Sequence, residues 1–114
     1  IFAGRHFVGL ALVVDELVNN AIEHGVVYRK HGVDLAVQVS TEQGGLRVEF
    51  YDPEMPAESV AELGRALEAA ANGMPSLENE RGRGLFLLSV YLQNVQAGPA
   101  AEGGLCLAGR IALH

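Results

Sequence analysis

Residues 16–25 read Glu-Leu-Val-Asn-Asn-Ala-Ile-Glu-His-Gly, and this stretch closes a longer amphipathic segment. Apolar residues recur along the segment at spacings of 3, 4, 3 and 4, the period of one helical face: Phe7, Leu10, Val14, Leu17 and Ala21. The periodicity predicts a helix over about residues 5–24. Gly25 is predicted to end this helix in the left-handed conformation that glycine adopts readily.

The same stretch places three polar side chains on one helical flank, since Glu16, Asn20 and Glu23 follow at i, i+4 and i+7. A carboxylate beside a carboxamide can orient a nucleophile by accepting its proton, or coordinate a hard cation such as Mg²⁺ through oxygen. One asparagine is a sufficient protein ligand when nucleotide phosphates and water complete the magnesium shell. A solvated helix flank is the simpler alternative, but asparagine is a poor helix former, and both Asn19 and Asn20 stand in mid-helix.

On the C-terminal side of this helix, two stretches alternate between apolar and polar residues, as half-buried strands do. The first covers residues 35–39 and the second covers residues 46–51, and a short glycine-containing turn joins them. The pair predicts a β-hairpin. Asp52 follows at the end of the second strand, where Pro53 and Pro56 exclude a continuing central strand.

The rest of the chain predicts a helix over residues 59–72, which are rich in Ala, Leu and Glu, then a third helix and a final strand near residues 105–113. Gly98-Pro99 is predicted to turn into the final strand. The third helix is predicted from apolar spacings of 3, 4 and 3, at Leu85, Leu88, Leu92 and Val95. Together the elements predict a single α/β sandwich over residues 1–114, with helices on one face of a mixed, mainly antiparallel sheet.

Length and composition agree with one globular domain and exclude several other classes of protein. The chain has 114 residues, 49% of them hydrophobic and 19% charged, and its longest apolar run, residues 7–14, is too short to cross a membrane. A net charge of −6 without a basic face argues against nucleic-acid binding. Cys106 is the only cysteine, which fits a reducing, cytoplasmic setting, and Ile1 in place of Met predicts a fragment of a longer chain.

Two further stretches are candidate parts of a binding site. Arg81-Gly82-Arg83-Gly84 runs into the third predicted helix, where glycines, free N–H groups and arginines suit phosphate; an ordinary loop entering a helix is the alternative. Asp52 suits an exocyclic amine such as that of adenine, with the ring against Met55; a turn-initiating aspartate is the alternative. The histidines are predicted to lie at the surface or at helix ends: His6, His24, His31 and His114.

In their order along the chain, these stretches resemble the N box, the first glycine box and the second glycine box of the GHKL ATPases, and among these the anti-sigma-factor serine kinases. The resemblance implies the Bergerat fold, with ATP and Mg²⁺ as cofactors. It also implies a role for each matching position: Glu16 as the base that orients the attacking hydroxyl or water, Asn20 as the magnesium ligand between the ATP phosphates, Asp52 as the partner of the adenine amine, and Gly82, Arg83 and Gly84 along the phosphates.

The resemblance further implies a bacterial signalling regulator that phosphorylates a serine or threonine of an anti-sigma-factor antagonist, with that antagonist or a sigma factor as its protein partner. Residues 53–81 would form the ATP lid, and homodimers are common in the family. One position departs from the pattern, because Glu54 stands where the first glycine box has glycine. The alternative is therefore a catalytically degenerate domain that serves as a protein-interaction module within a larger signalling protein.

Overall fold

The structure of the chain, a computed structural model, describes residues 4–30, 35–71 and 87–112. Its long helices are α1 (Gly4–Gly25) and α2 (Ala57–Ala71), and residues 87–91, which are also helical, are named α3. Within the described ranges, no helix has both the length and the apolar character that crossing a membrane requires. The strands, in chain order, are β1 (Ala36–Glu42), β2 (Gly45–Asp52), β3 (Gln93–Pro99) and β4 (Leu105–Ala112).

The four strands form one antiparallel sheet in the order β1-β2-β4-β3. β1 and β2 are the predicted hairpin, and β4 is the predicted final strand. The helices predicted over residues 5–24 and 59–72 are α1 and α2. The α/β sandwich is thus confirmed, and its described sheet is antiparallel throughout rather than mixed.

The core lies between the two long helices and one face of the sheet. Along β2 and β4 every second side chain points to this face, so that residues 46, 48 and 50 lie opposite residues 111, 109 and 107. Both helices therefore pack on the same side of the sheet. Their buried side chains are Val13, Leu17 and Ala21 from α1, and Val60, Leu63, Leu67 and Ala70 from α2.

The first predicted strand is present but is not half-buried, so that part of the prediction is wrong. Every residue of β1 is exposed. Val37 and Val39 pair with the core residues Phe50 and Val48 and share their face of the sheet, yet they remain 37% and 42% exposed. β1 is an edge strand, and neither Val37 nor Val39 belongs to the hydrophobic core that α1 and α2 share with the sheet.

The third helix ends earlier than its apolar spacing predicts. α3 stops at Tyr91, and Val95 lies in β3 rather than on a helical face. Asn94, already within β3, takes a φ of 53° in the irregular stretch of the pairing with β4 between Gln93 and Gln96. The predicted Gly98-Pro99 turn is also wrong, since both residues lie in β3 and the chain turns at residues 100–104.

Two predicted features lie wholly or partly outside the described residues. The stretch Arg81-Gly82-Arg83-Gly84 lies outside them entirely, and so does the predicted lid beyond residue 71. The described part of the lid contains α2, whose Leu63 and Leu67 are buried in the core. Closure of this segment over a nucleotide stays a prediction.

The turn between β3 and β4 offers a graded test of the fold. Gly103 and Gly104 have positive φ values of 97° and 81°, and a Cβ on Gly104 would also overlap the backbone of Asp52 and Pro53. We therefore expect Gly104→Ala to lower the free energy of unfolding by at least about 2 kcal/mol, and Gly103→Ala by about 1 kcal/mol.

Gly98→Ala is the matched control, because its Cβ would meet nothing within 4 Å and its φ is not positive. It should change the free energy of unfolding by less than about 0.5 kcal/mol. Urea denaturation of the three variants measures this order, and a Gly104→Ala variant as stable as Gly98→Ala would contradict the turn geometry.

Candidate functional site

A narrow cleft opens between α1, α2 and the inner face of the sheet. It encloses about 350 Å³ of empty space, counted to its open mouth, and its interior admits water-sized molecules rather than a flat ring. Two polar side chains of α1 line it, Asn20 and His24. The other described lining residues are apolar: Leu17, Ala21, Phe50, Met55, Leu63, Leu88, Leu105 and Leu107. A few polar groups among apolar walls are typical of sites that bind small molecules.

The position of Asn20 follows from the burial of its neighbours on α1. Leu17 and Ala21 are 4% and 5% exposed, so the helix is fixed with Asn20 half-buried at the cleft. Glu16 lies one helical turn earlier on the same flank and is also half-buried, but it is not part of the cleft lining. Glu23 is exposed. Of the three predicted flank residues, the structure therefore brings Asn20 to the cleft and leaves Glu16 one turn away.

Asp52 is the one buried charged residue among the described residues, and it has no exposed surface. The alternation of β2 that turns Phe50 into the core also turns Asp52 inward. Its Oδ2 accepts hydrogen bonds from the Tyr28 hydroxyl at 2.6 Å and from Nη2 of Arg29 at 2.9 Å. Its Oδ1 accepts from Nη1 of Arg29 at 3.1 Å and from the backbone N–H of Glu54 at 3.2 Å. Since a carboxylate has about four acceptor positions, all of them are in use.

Arg29 lies against the C-terminal end of α1, from where its side chain reaches Asp52. Its backbone N–H donates to the carbonyl of Gly25 at 2.8 Å, and its Nη2 also donates to the carbonyl of Ala21 at 3.2 Å. The guanidinium carbon lies 5.2 Å from the centre of the Tyr28 ring, and the side chain is 9% exposed. Its Nε is buried and has no hydrogen-bond partner in the described part of the chain. The guanidinium is thus fixed by both α1 and β2.

Gly25 is needed for this arrangement, but not for the reason that the sequence predicts. It lies within α1, is buried, and is not one of the described glycines with positive φ, so the predicted left-handed helix end is wrong. A Cβ at this position would overlap the guanidinium of Arg29. The arginine can lie against the helix only because residue 25 has no side chain.

Glu54 extends the same network toward the surface. Its Oε2 lies 3.3 Å from Nη1 of Arg29, and its Oε1 accepts the backbone N–H of Lys30 at 3.0 Å. The residue that replaces the glycine of the first glycine box therefore connects the segment after β2 to the segment after α1.

The electrostatics of this network keep its members in their ordinary charge states at neutral pH. Burial alone would raise the pKa of the Asp52 carboxyl, but hydrogen bonds from Arg29 and Tyr28 and the guanidinium charge together lower it below its usual value. The hydrogen bond to Asp52 raises the pKa of Arg29. Burial, together with the same carboxylate, raises the pKa of Tyr28. Asp52 is therefore purely an acceptor, and Tyr28 and Arg29 remain donors.

Comparison with known proteins agrees with this architecture. Residues 8–108 match the family described as the histidine kinase-like ATPase domain. The chain belongs to this family. No curated protein is significantly similar to the chain. The matched residues are most of this histidine kinase-like ATPase domain and include all the predicted site residues. Membership of the family identifies the domain as an ATP-binding one.

In this histidine kinase-like ATPase domain the structure places one predicted site residue, Asn20, in the lining of the cleft. Asp52 is not part of the lining, but two lining residues adjoin it: Phe50, two residues earlier on β2, and Leu105, opposite it across the sheet. The predicted phosphate-binding residues Gly82, Arg83 and Gly84 lie outside the described residues. Their roles, like those of Glu16, Asn20 and Asp52, remain predictions.

The sequence analysis missed Tyr28 and Arg29, which carry no signal beyond the two adjacent basic residues Arg29 and Lys30. It also missed the position of His24, which is an exposed helix-end residue as predicted but lines the cleft as well. A more specific signal is the alternation of β2, which extends from residues 46, 48 and 50 to Asp52. A carboxylate on the core face requires a donor or a cation nearby.

The buried network predicts how stability depends on pH. Asp52→Asn removes the charge that compensates Arg29, and we expect it to lower the free energy of unfolding at pH 7 by about 3 kcal/mol. Because the pKa of Asp52 is lower in the folded chain, its contribution is complete above its ordinary pKa of 3.8 and is lost as the pH falls further. The stability difference between the wild type and Asp52→Asn should therefore shrink below about pH 4.

Urea denaturation across this pH range measures the difference. Glu42→Gln is the control, since its pair with Arg110 is partly exposed, with an N–O distance of 3.2 Å, and its loss should cost less than about 1 kcal/mol. A difference between wild type and Asp52→Asn that stayed constant down to about pH 2 would contradict the assignment.

Proposed function

We propose that this ATPase domain binds ATP with Mg²⁺ and transfers the γ-phosphoryl group to a serine or threonine of a protein partner, an anti-sigma-factor antagonist. The observation that carries the proposal is the position of Asn20 in an apolar cleft beside Asp52, in a chain of the histidine kinase-like ATPase family. A cytoplasmic setting and a homodimer are parts of the same proposal, as the resemblance to the serine kinases implies.

The residues present fit a magnesium ion that arrives with its nucleotide. Among the described residues, His, Cys, Asp and Glu form no cluster of three that would hold a metal by itself. The carboxamide oxygen of Asn20 is a hard donor, and phosphate oxygens and water would complete its ligand set. The chemistry that Mg²⁺ supplies there is the neutralisation of charge on the phosphates.

Apart from charge neutralisation, catalysis of phosphoryl transfer depends mostly on the positioning of the attacking group and the phosphates. In this proposal Glu16 accepts a hydrogen bond from the attacking hydroxyl and orients it, one helical turn from Asn20. Gly82, Arg83 and Gly84 hold the phosphates with backbone N–H groups and positive charge at the start of a helix. Asp52 accepts a hydrogen bond from the adenine amine, and Met55 provides an apolar surface for the ring.

Isothermal titration of the chain with ATP, with and without Mg²⁺, tests the proposal through Asn20. We expect micromolar, magnesium-dependent binding in the wild type, and none in Asn20→Ala, because the only protein ligand of the ion is removed. Asn19→Ala is the matched control, since this neighbouring asparagine is exposed and does not line the cleft. Unchanged affinity in Asn20→Ala, or equal losses in both variants, would remove the proposed magnesium site.

A second function is favoured by the network around Asp52. All acceptor positions of its carboxylate are filled by the chain itself, Glu54 stands where the first glycine box has glycine, and the net charge of −6 adds repulsion toward a polyphosphate. A domain of this kind would keep the ATPase fold and act as a protein-interaction module within a larger signalling protein. Its partner would then dock without nucleotide.

Glu54→Gly separates the two functions. If the domain is a degenerate module, this substitution restores the glycine of the first glycine box and should raise ATP affinity from undetectable to measurable. If the nucleotide site already works, the substitution should not raise affinity. The same titration measures both cases, and undetectable binding in Glu54→Gly as well as in the wild type would contradict the view that Glu54 alone disables the site.

A further inference from the structure

Asp52, the carboxylate that the proposed function assigns to the adenine ring, already has a full set of hydrogen-bond partners. Tyr28 and Arg29 supply three of the four hydrogen bonds that Asp52 accepts, at 2.6, 2.9 and 3.1 Å. The fourth comes from the backbone two residues further along the chain. An exocyclic amine could therefore reach Asp52 only if a side-chain donor left.

The cleft comes close to Asp52 but is not lined by it. Three of its lining residues adjoin Asp52 or its partners: Phe50 on the same face of β2, Leu105 directly opposite across the sheet, and Ala21, whose carbonyl shares Nη2 of Arg29 with the carboxylate. Asp52 itself has no exposed surface.

We propose that the side chains of Tyr28 and Arg29 form a clasp on Asp52, and that a nucleobase carrying an amine must displace this clasp in order to bind. This inference rests on the proposed ATP-binding function. In the structure, Tyr28 and Arg29 are positioning residues: they hold the carboxylate ionised and oriented, and they determine when a ligand reaches it. A ligand without a donor for Asp52 gains nothing from displacing them, so the clasp favours an aminopurine over an oxopurine.

Glu54 gives the displaced arginine a second partner. Nη1 of Arg29 lies 3.1 Å from Oδ1 of Asp52 and 3.3 Å from Oε2 of Glu54, so a small movement leaves the guanidinium paired with Glu54 alone. A buried guanidinium that lost its only carboxylate would be strongly unfavourable. Glu54, which departs from the glycine box, thereby makes release of the clasp feasible.

The experiment is an isothermal titration of the full chain with ATP and with inosine triphosphate, each with Mg²⁺. Inosine triphosphate carries a carbonyl oxygen in place of the amine and offers Asp52 no donor there. Tyr28→Phe removes one donor from Oδ2 and keeps the ring, so an amine can fill the vacated position. We expect this variant to bind ATP about tenfold more tightly than the wild type, with no gain for inosine triphosphate.

Tyr51→Phe is the matched control, since its hydroxyl donates to Glu49 at 2.8 Å on the opposite face of the sheet. It should leave both affinities unchanged. Arg29→Lys is a second variant that keeps the charge but loses the paired donors, and it should also tighten ATP alone. Arg29→Lys therefore tests the clasp independently if Tyr28→Phe does not fold.

Three results would overturn the inference or its basis, and they are distinguishable. If wild type binds ATP and neither variant binds it more tightly, there is no clasp. If both nucleotides gain equally, Tyr28 excludes ligands by bulk and not through the carboxylate. If neither the wild type nor the variants bind ATP at millimolar concentration, the proposed function fails and the clasp fails with it.

Discussion

A carboxylate with no exposed surface would be strongly destabilising in an apolar core, and in this fold the guanidinium of Arg29 compensates for it. The pair joins segments 23 residues apart, the turn after α1 and the end of β2. The same guanidinium donates to the carbonyl of Ala21, so its position also fixes the last turns of α1 against the sheet. The ion pair therefore adds to the core packing that holds α1 against the sheet on one side of the cleft.

Two glycines make the close approach possible from opposite sides. Gly25 leaves room for the guanidinium against α1, and Gly104 leaves room for the backbone of Asp52 against the β3–β4 turn. A Cβ at residue 25 would displace the guanidinium from its place against α1, whereas a Cβ at residue 104 would meet the backbone of Asp52 and Pro53. Only the first requirement for glycine follows from the ion pair; the second follows from the path of the backbone and from the positive φ of Gly104.

How much of this arrangement could be predicted from the sequence depended on the range of the interactions. α1 and the β1–β2 hairpin were predicted with their type and order because their apolar spacing is repeated several times, and α2 because its residues are strong helix formers. The third helix was predicted too long, because the apolar spacing that ends at Val95 has few repeats. The residues of β3 pair with β4 instead, and no local pattern reveals that pairing. The exposure of β1 depends on which strands the helices cover. For the site, helical spacing placed Asn20 on the flank of the buried face of α1, and only the structure shows that this flank borders a cleft. The clasp joins two residues that follow α1 to the end of β2, a contact that no local pattern reveals.

The interaction that stabilises the fold and the one proposed for the nucleotide compete for the same carboxylate. A base that takes a position on Asp52 replaces hydrogen bonds that the chain already makes, so its net gain is the difference between two similar interactions and not the full value of a new one. Only the fraction of molecules with an open clasp binds directly, and the apparent affinity falls by that fraction. A partner protein that drew Arg29 toward Glu54 would raise that fraction without touching the base. Control of nucleotide binding from the surface of the domain would then follow from the two carboxylates that share one arginine.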